Sequence, residues 1–470
     1  MIKKNKLLQM RLCLFVMGLI FHQHVYAITL KQLLSDIKQN HPAILIETQQ
    51  IEIEKQKKKA LKGVTDWNIY IDLYYKNETF SSFRESSYIG IRSGTGTTLW
   101  RSGINFGGSG GASKSEYKTN SRETSYFPEA SYGKNYNYQF SLTAPLMRDF
   151  AGVQTRFTYE QAEYDEAQQK LLARNKNEFF LLTVIDDFLL WERLTQQQRV
   201  IQRYINKFQK SKTLRNNIQP KDRLQISSQI YYYKTKLTEN QSSIASVKEK
   251  LIEMTGQIAI NHDPPQYDLF QVFSNGQDDI FTTESMNSLL KIKTEDIYLE
   301  KLSHEKIKLN NDKLPVTNVA VRHNHNKSRS DGSQANNTFD SNTISITVGS
   351  DFTNTRTTQD LKKVFWQSQN TEQKQQELRL RFSADIKRNQ TQRKILQQQI
   401  STQKVMIALL EKQTDLEWVA YQTGSLPLAT VLKNMKQHFL SEMDYIEMLA
   451  KYHQLFFQYL NLTDQLYDRY

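Results

Sequence analysis

The sequence predicts a mostly α-helical protein with a smaller β part, laid out as two internal repeats. Three observations carry that expectation. Ser350 to Thr423 runs 74 residues without a Gly or Pro, and Val153 to Gln219 runs 67. At about 1.5 Å of rise per residue the first would be a rod on the order of 100 Å long, as in coiled coils and long bundles rather than compact domains. Runs of apolar–polar alternation stand before each rod, and the order of the parts recurs along the chain, the mark of a duplicated frame.

In chain order, residues 1–27 read as a secretory signal. Lys3, Lys4, Lys6 and Arg11 form a basic n-region, Leu12 to Phe21 a ten-residue apolar core, and Val25-Tyr26-Ala27 the cleavage site. That core is too short to span a bilayer as a stable helix; an uncleaved anchor is the alternative. Cys13 is the only cysteine and leaves with the signal, so the mature chain has no disulfide and no thiolate metal site. The signal takes four basic residues with it, and the formal net charge falls from +13 to +9. Export argues against nucleic acid as a partner, and charge spread over helix faces accounts for the excess better. Only 38% of the residues are hydrophobic, whereas Tyr and Phe number 24 and 23. That balance fits surfaces meeting lipid headgroups or water-filled space rather than one deep core.

The first repeat spans 28–256. Thr29 to Leu61 carries a helical stripe of Leu30, Leu33, Leu34, Ile37, Ile44, Ile51 and Leu61, interrupted at Asn40-His41-Pro42 and closed by Gly63. From 68 to 76, Ile69, Ile71, Leu73 and Tyr75 alternate with Tyr70, Asp72, Tyr74 and Lys76. From 136 to 148, Tyr138, Phe140, Leu142, Ala144 and Leu146 alternate with Gln139, Ser141 and Thr143. Runs of about 9–11 residues suit tilted transmembrane strands. The insertion between them, 77–135, holds nine of the 17 glycines. Ile89-Gly90-Ile91 and Ile104-Asn105-Phe106 suggest an extra hairpin within it, and Gly107-Gly108-Ser109-Gly110-Gly111 reads as a flexible loop. The rod 153–219 then turns around Pro220 into a return helix, 221–255, stopped by Gly256.

Residues 257–276, with Asp263-Pro264-Pro265, form a linker, and 277–470 repeats the order. A helix from Ile280 to Leu314 leads to a strand at 316–324, a Ser/Asn/His-rich loop at 325–341, and a strand at 343–352 with Ile344, Ile346 and Val348 on one face. The rod 353–423, a turn with Gly424 and Pro427, and a helix 428–470 complete it. Four amphipathic strands per chain cannot close by themselves in a bilayer, because open edges leave backbone groups unpaired and the smallest membrane barrels have eight strands. Several chains must therefore pool their strands. Ile69, Ile71, Leu73, Phe140, Leu142, Ile344, Ile346 and Val348 are the candidates for facing lipid.

The residues resemble those of the TolC-like outer-membrane efflux proteins. The likeness rests on Thr29-Leu30 through Asn40-His41-Pro42, on Leu142-Thr143-Ala144-Pro145-Leu146-Met147-Arg148 leading into the first rod, and on Ile218-Gln219-Pro220-Lys221-Asp222-Arg223-Leu224 and Tyr421-Gln422-Thr423-Gly424 with Val431-Leu432 at the two helix turns. Each motif is weak alone; their order within the duplicated frame makes the resemblance specific, and it covers almost the whole mature chain. It implies a homotrimer whose coiled-coil helices form a periplasmic α-barrel continuous with a shared 12-stranded β-barrel in outer-membrane lipid. It further implies an exit duct of a tripartite efflux pump or type I secretion system in the cell outer membrane of a Gram-negative bacterium. A periplasmic adaptor would grip the tips at Pro220, Gly424 and Pro427 and connect them to an inner-membrane pump or ABC transporter.

The resemblance also implies a periplasmic gate that opens as the tips at 213–224 and 421–432 untwist. Asp222 falls on the family's first-turn acid and Tyr421 on its tyrosine partner. As plain structure, Asp222 is a helix N-terminal charge and Tyr421 a packing residue. The network's arginine position falls on Leu426, which cannot form that bridge. The two entrance acids fall on Thr430 and Lys433, so a weaker cation preference is expected.

Other functional classes find little support. His323 and His325 share a strand face and could chelate a metal, but no further ligand is evident. Asp186-Asp187 point to different sides of a helix, and the glycine run 107–111 lacks the Lys-Ser/Thr of a phosphate loop. No cofactor, metal or catalytic site is expected. A periplasmic coiled-coil scaffold would explain the rods and the signal. It would not explain membrane-length alternating strands beside Trp67, Tyr74, Tyr75 and Tyr136, which suit interfacial aromatic girdles.

Overall fold

The computed structural model describes residues 28–62, 67–81, 84–99, 102–119, 130–149, 152–213, 219–256, 265–271, 283–330, 336–349 and 355–469. The signal at 1–27, the helix stop at Gly63, the outer part of the first turn (214–218) and the linker stretches 257–264 and 272–276 lie outside the described residues. The chain runs β1 (Ile28–Thr29), α1 (Leu30–Asn40), α2 (Pro42–Leu61), β2 (Asn68–Ser81), β3 (Arg84–Thr98), β4 (Asn105–Thr119) and β5 (Ala130–Pro145). It continues with α3 (Val153–Thr213), α4 (Pro220–Thr255), β6 (Pro265–Gln266), α5 (Thr283–Asn287) and α6 (Leu290–Asp312). Last come β7 (Val316–Ser330), β8 (Asn336–Gly349), α7 (Thr355–Gln422), α8 (Leu428–Leu462) and α9 (Leu466–Arg469).

Local chemistry sets the helix ends. Thr29 and Gln32 make a capping box on α1, each side chain accepting the other's backbone N–H at 3.2 Å. Asp149, held at φ +64°, turns the chain from β5 into α3, and its Oδ1 accepts the N–H groups of Gln154 (2.6 Å) and Thr155 (3.1 Å). Pro220 occupies the first turn of α4, where a missing N–H loses no helical bond. At the end of α7, Gly424 adopts φ +79°, and the N–H of Ser425 reaches back to Ala420 O at 2.9 Å, a left-handed cap that a side chain would strain.

The chain divides into two units. The helical unit comprises residues up to Thr48, 172–292 and 378–470. Leu33, Leu34 and Ile37 of α1 pack there on Leu181, Ile185, Phe188 and Trp191 of α3, Leu251 of α4, and Phe457 and Leu460 of α8. β1 and β6 form a short parallel pair. Next to it His453 is fully buried, with Nε2 donating to Leu269 O (3.0 Å) and Nδ1 accepting from Tyr267 Oη (2.9 Å). Burial pushes the imidazole down to about 4, so it is neutral and serves the fold.

The other unit, residues 49–171 and 293–377, holds one sheet of six antiparallel strands in the order β2-β3-β4-β5-β7-β8. Leu302 and Leu309 of α6 pack there on Val364 of α7. Six strands replace the four read from the sequence, because the insertion supplies β3 and β4 as full members of the sheet. The glycine run 107–111 lies within β4 rather than in a loop. Its strand conformation is supported by neighbouring side chains: a Cβ at Gly108 would stand 3.4 Å from the Phe140 ring, and one at Gly110 3.1 Å from Tyr138. The Ser/Asn/His-rich stretch 325–341 is likewise mostly strand, continuing β7 to Ser330 and opening β8 at Asn336. Backbone ladder bonds hold it where the side chains carry no apolar alternation.

Candidate functional site: a two-faced sheet and a helix-turn tip

Antiparallel partners directly opposite each other project to the same side, so the register sorts the sheet into two faces. One face carries Ile69, Ile71 and Leu73 of β2 and Ile89 and Ile91 of β3. It continues through Phe106, Gly108, Gly110 and Ala112 of β4 to Tyr136, Tyr138, Phe140 and Leu142 of β5. Val319 and Val321 of β7 and Ile344, Ile346 and Val348 of β8 complete it. These side chains are open to the surroundings: Ile69 is 78% exposed, Leu73 80% and Ile344 75%. Every lipid-facing candidate falls on this face.

The opposite face is polar and small. It bears Gly94, Ser109, Gly111 and Ser113, then Asn137, Gln139, Ser141 and Thr143, then Asn324, Thr343, Ser345 and Thr347. Charges punctuate it: Asp72 stands opposite Arg92, and Arg322 opposite Ser141. Tyr70 and Tyr74 lie over Gly94 and Gly90, where an added Cβ would meet the rings at 2.5–2.6 Å. Apolar on one side and hydrophilic on the other is the pattern of a membrane β-wall. A contiguous exposed apolar face of this size calls for a partner phase. Among the described residues no helix is long and apolar enough to cross a membrane.

His323 and His325 do share a face, and each meets a β8 side chain: His323 Nδ1 lies 2.7 Å from Asn342 Oδ1, and His325 Nδ1 contacts Asp340 Oδ1. Among the described residues no three His, Cys, Asp or Glu groups are placed to hold a metal ion. Asp186 and Asp187 diverge in setting. Asp187 accepts from Lys250 Nζ at 2.8 Å, while burial, then the neighbouring Asp187 charge, pushes Asp186 up to about 6.

At the helix-turn tip of the helical unit, the structure brings together two residues 199 positions apart. Tyr421 Oη, in the last turn of α7, donates to Asp222 Oδ2, in the first turn of α4, at 2.9 Å. The Trp418 ring lies tilted beside Tyr421, with ring centroids 5.7 Å apart, and both rest with Leu426 on a core of Tyr204 and Phe208 from α3, Ile226, Ile230 and Tyr233 from α4, and Val431, Met435 and Phe439 from α8. Leu426 is therefore a packing residue. Thr430 is half-buried in the first turn of α8 with its N–H on Pro427 O (3.1 Å), and Lys433 one turn on is exposed.

Sequence reasoning missed a charge cluster behind this tip, in which Glu442 and His438 are buried and Arg203 is exposed. Arg203 Nη1 lies 3.1 Å from Glu442 Oε1, and His438 Nε2 3.6 Å from the same oxygen. Burial pushes Glu442 up and His438 down, so each tends toward its neutral form. Arg203 and Glu442 are 239 residues apart, and no local pattern could pair them.

No protein-family model matches the sequence, and no curated protein matches it. Solved structures do. The outer membrane protein VceC of Vibrio cholerae aligns over 93% of this chain and 96% of its own at 12% identity, with a TM-score of 0.65. The CmeC outer membrane channel of Campylobacter jejuni aligns over 93% and 86% at 9% identity and TM-score 0.62. The MtrE outer membrane channel of Neisseria gonorrhoeae, in its open state, aligns over 93% and 89% at 12% identity and TM-score 0.62. At such identities the likeness shows the fold. The chain has the fold of outer-membrane channels, which is consistent with the TolC-like resemblance read from its sequence.

Proposed function

We propose that this chain is one subunit of a TolC-like exit duct, passive itself and driven by an inner-membrane pump or ABC transporter through a periplasmic adaptor. In this reading the sheet enters the outer membrane and the helices form the periplasmic part, in two repeats, 28–256 and 277–470. The observation that carries it is the sheet: apolar and exposed on one face, polar on the other, with edge strands β2 and β8 each paired on one side only among the described residues. Six strands are too few to close, and open edges in hydrocarbon are prohibitive. Copies must join β8 to β2. Three copies of six strands make 18, not the 12 that the resemblance implies for a trimer, so the pore through the membrane is wider than in a 12-stranded barrel. On the helical side α7 exposes Val405, Leu409, Leu416 and Val419, a stripe suited to contact between copies.

At the tip, the Tyr421–Asp222 bond acts as a latch, and the absence of acids at Thr430 and Lys433 leaves a weaker cation preference. The test is the oligomer mass of the mature protein in detergent, joined to single-channel conductance in a planar bilayer. A trimer with a stable conductance supports the duct. A monomer that never inserts overturns it in favour of a periplasmic scaffold, and strong cation selectivity in the reversal potential overturns the reading of the mouth.

A further inference from the structure

Past Tyr136 and Ala112, the apolar face of the sheet carries a cross-strand row of cations on β4, β5 and β7. Lys114 of β4 stands opposite Lys134 of β5, and Lys134 opposite Arg329 of β7. Three adjacent strands thus place a cation side by side on one face, and Lys327, opposite Tyr136, adds a fourth one step nearer the apolar band. All four are exposed. Like charges directly opposite each other destabilise a sheet, so the row calls for an anion. The carboxylates on this face closest to it are Glu116, opposite Tyr132, and Asp340, already in contact with His325.

Beside the row lies an open groove of about 490 Å³. Leu73, Ile89, Ile91 and Ala112 line it as an apolar floor, and Lys114 and Lys134 stand at its rim. Small residues along β4 leave the floor low between the bulkier side chains of β3 and β5. An apolar trough ending in a basic rim is the complement of a lipid that carries both acyl chain and phosphate. The height agrees. Lys134 precedes Pro145, where β5 ends, by 11 residues; at about 3.3 Å each and a tilt of about 40°, that is roughly 28 Å, close to the ~25 Å of an apolar barrel band.

We infer that Lys114, Lys134 and Arg329, with Lys327, form a binding site for a phosphorylated, acylated lipid of the outer leaflet, its phosphate on the basic row and an acyl chain along the groove. The inference rests on the reading that the apolar face meets lipid. It is tested by native mass spectrometry of the full mature chain in neutral detergent micelles, with an added acylated glycolipid offered in its phosphorylated form and in the dephosphorylated form with the same acyl chains. The phosphorylated form should be retained at least about tenfold better, and K134Q/R329Q should remove that preference while leaving the oligomer mass unchanged. Equal retention of the two forms overturns the site, as does a preference that survives K134Q/R329Q. Displacement of the lipid by inorganic phosphate alone would identify a phosphate site without a lipid and also overturn it. Insertion into neutral phosphatidylcholine vesicles is scored separately: failure there sinks the membrane sheet, whereas insertion without phosphate preference sinks this site alone.

Discussion

The helical unit and the sheet unit solve the burial problem in opposite ways. In the helical unit Leu33, Leu181, Phe188 and Trp191 are almost wholly inaccessible, so one chain supplies its own core. In the sheet unit Ile71, Phe140 and Val348 remain about two-thirds exposed, and their cover must come from outside the chain. The same hydrophobic effect acts on both, but one region collects its gain on folding and the other, in the function proposed above, on insertion and assembly. Mutations should therefore register in different measurements.

The largest effect is expected from Trp191→Ala, which empties a core site and should lower the unfolding free energy by about 3–5 kcal/mol in denaturant titrations followed by helical circular dichroism. Leu142→Arg should leave that titration nearly unchanged and cost about 2–4 kcal/mol in bilayer insertion, read from the inserted fraction in vesicles. If it instead destabilises the helices, the contrast fails. Acid should separate the units by pH window. His453 has its folded pKa depressed to about 4 from an ordinary 6.5, so its stabilisation is present above pH 6.5 and is lost as pH falls toward 4, about 2 kcal/mol by pH 5. His453→Gln should flatten that slope. In the sheet unit Glu166, held down to about 2 by hydrogen bonds from Lys170 and then Lys58, should keep its contribution until pH drops below about 4.5 and lose it toward 2. The smallest change in stability, about 1 kcal/mol, is expected for Tyr421→Phe, which removes the bond to Asp222; its main readout is a raised single-channel conductance.

The legibility of the sequence follows the same division. Helix ends were readable because Pro220, Gly256 and Gly424 act through their own backbones, and the Ile69–Ile71–Leu73 run because one face is uniformly apolar. β4 was readable only at its start, Ile104-Asn105-Phe106, since Gly107, Gly108, Gly110 and Gly111 carry no side chain, and Gly108 and Gly110 borrow their cover from Phe140 and Tyr138 on the next strand. The outer halves of β7 and β8 were hidden because both of their faces are polar there. The pair of Asp222 and Tyr421 was reached through family likeness, and Arg203 with Glu442 not at all, because contacts across some 200 residues leave no periodic trace. The basic row was invisible for a related reason: Lys114, Lys134 and Arg329 are scattered in sequence and become neighbours only through strand register.

The sheet's even strand number carries a consequence for how such a wall can change size. Because β2 and β8 run in opposite directions, any number of copies can be joined edge to edge with every seam antiparallel. In the proposed ring, adding a hairpin, as β3 and β4 do relative to a four-stranded plan, would widen the circumference at every copy and leave the direction at the seams untouched. A single added strand would reverse one border and force a parallel seam at each junction. Growth is thus quantised in hairpins, and one insertion in one gene enlarges the whole circumference by as many hairpins as there are subunits.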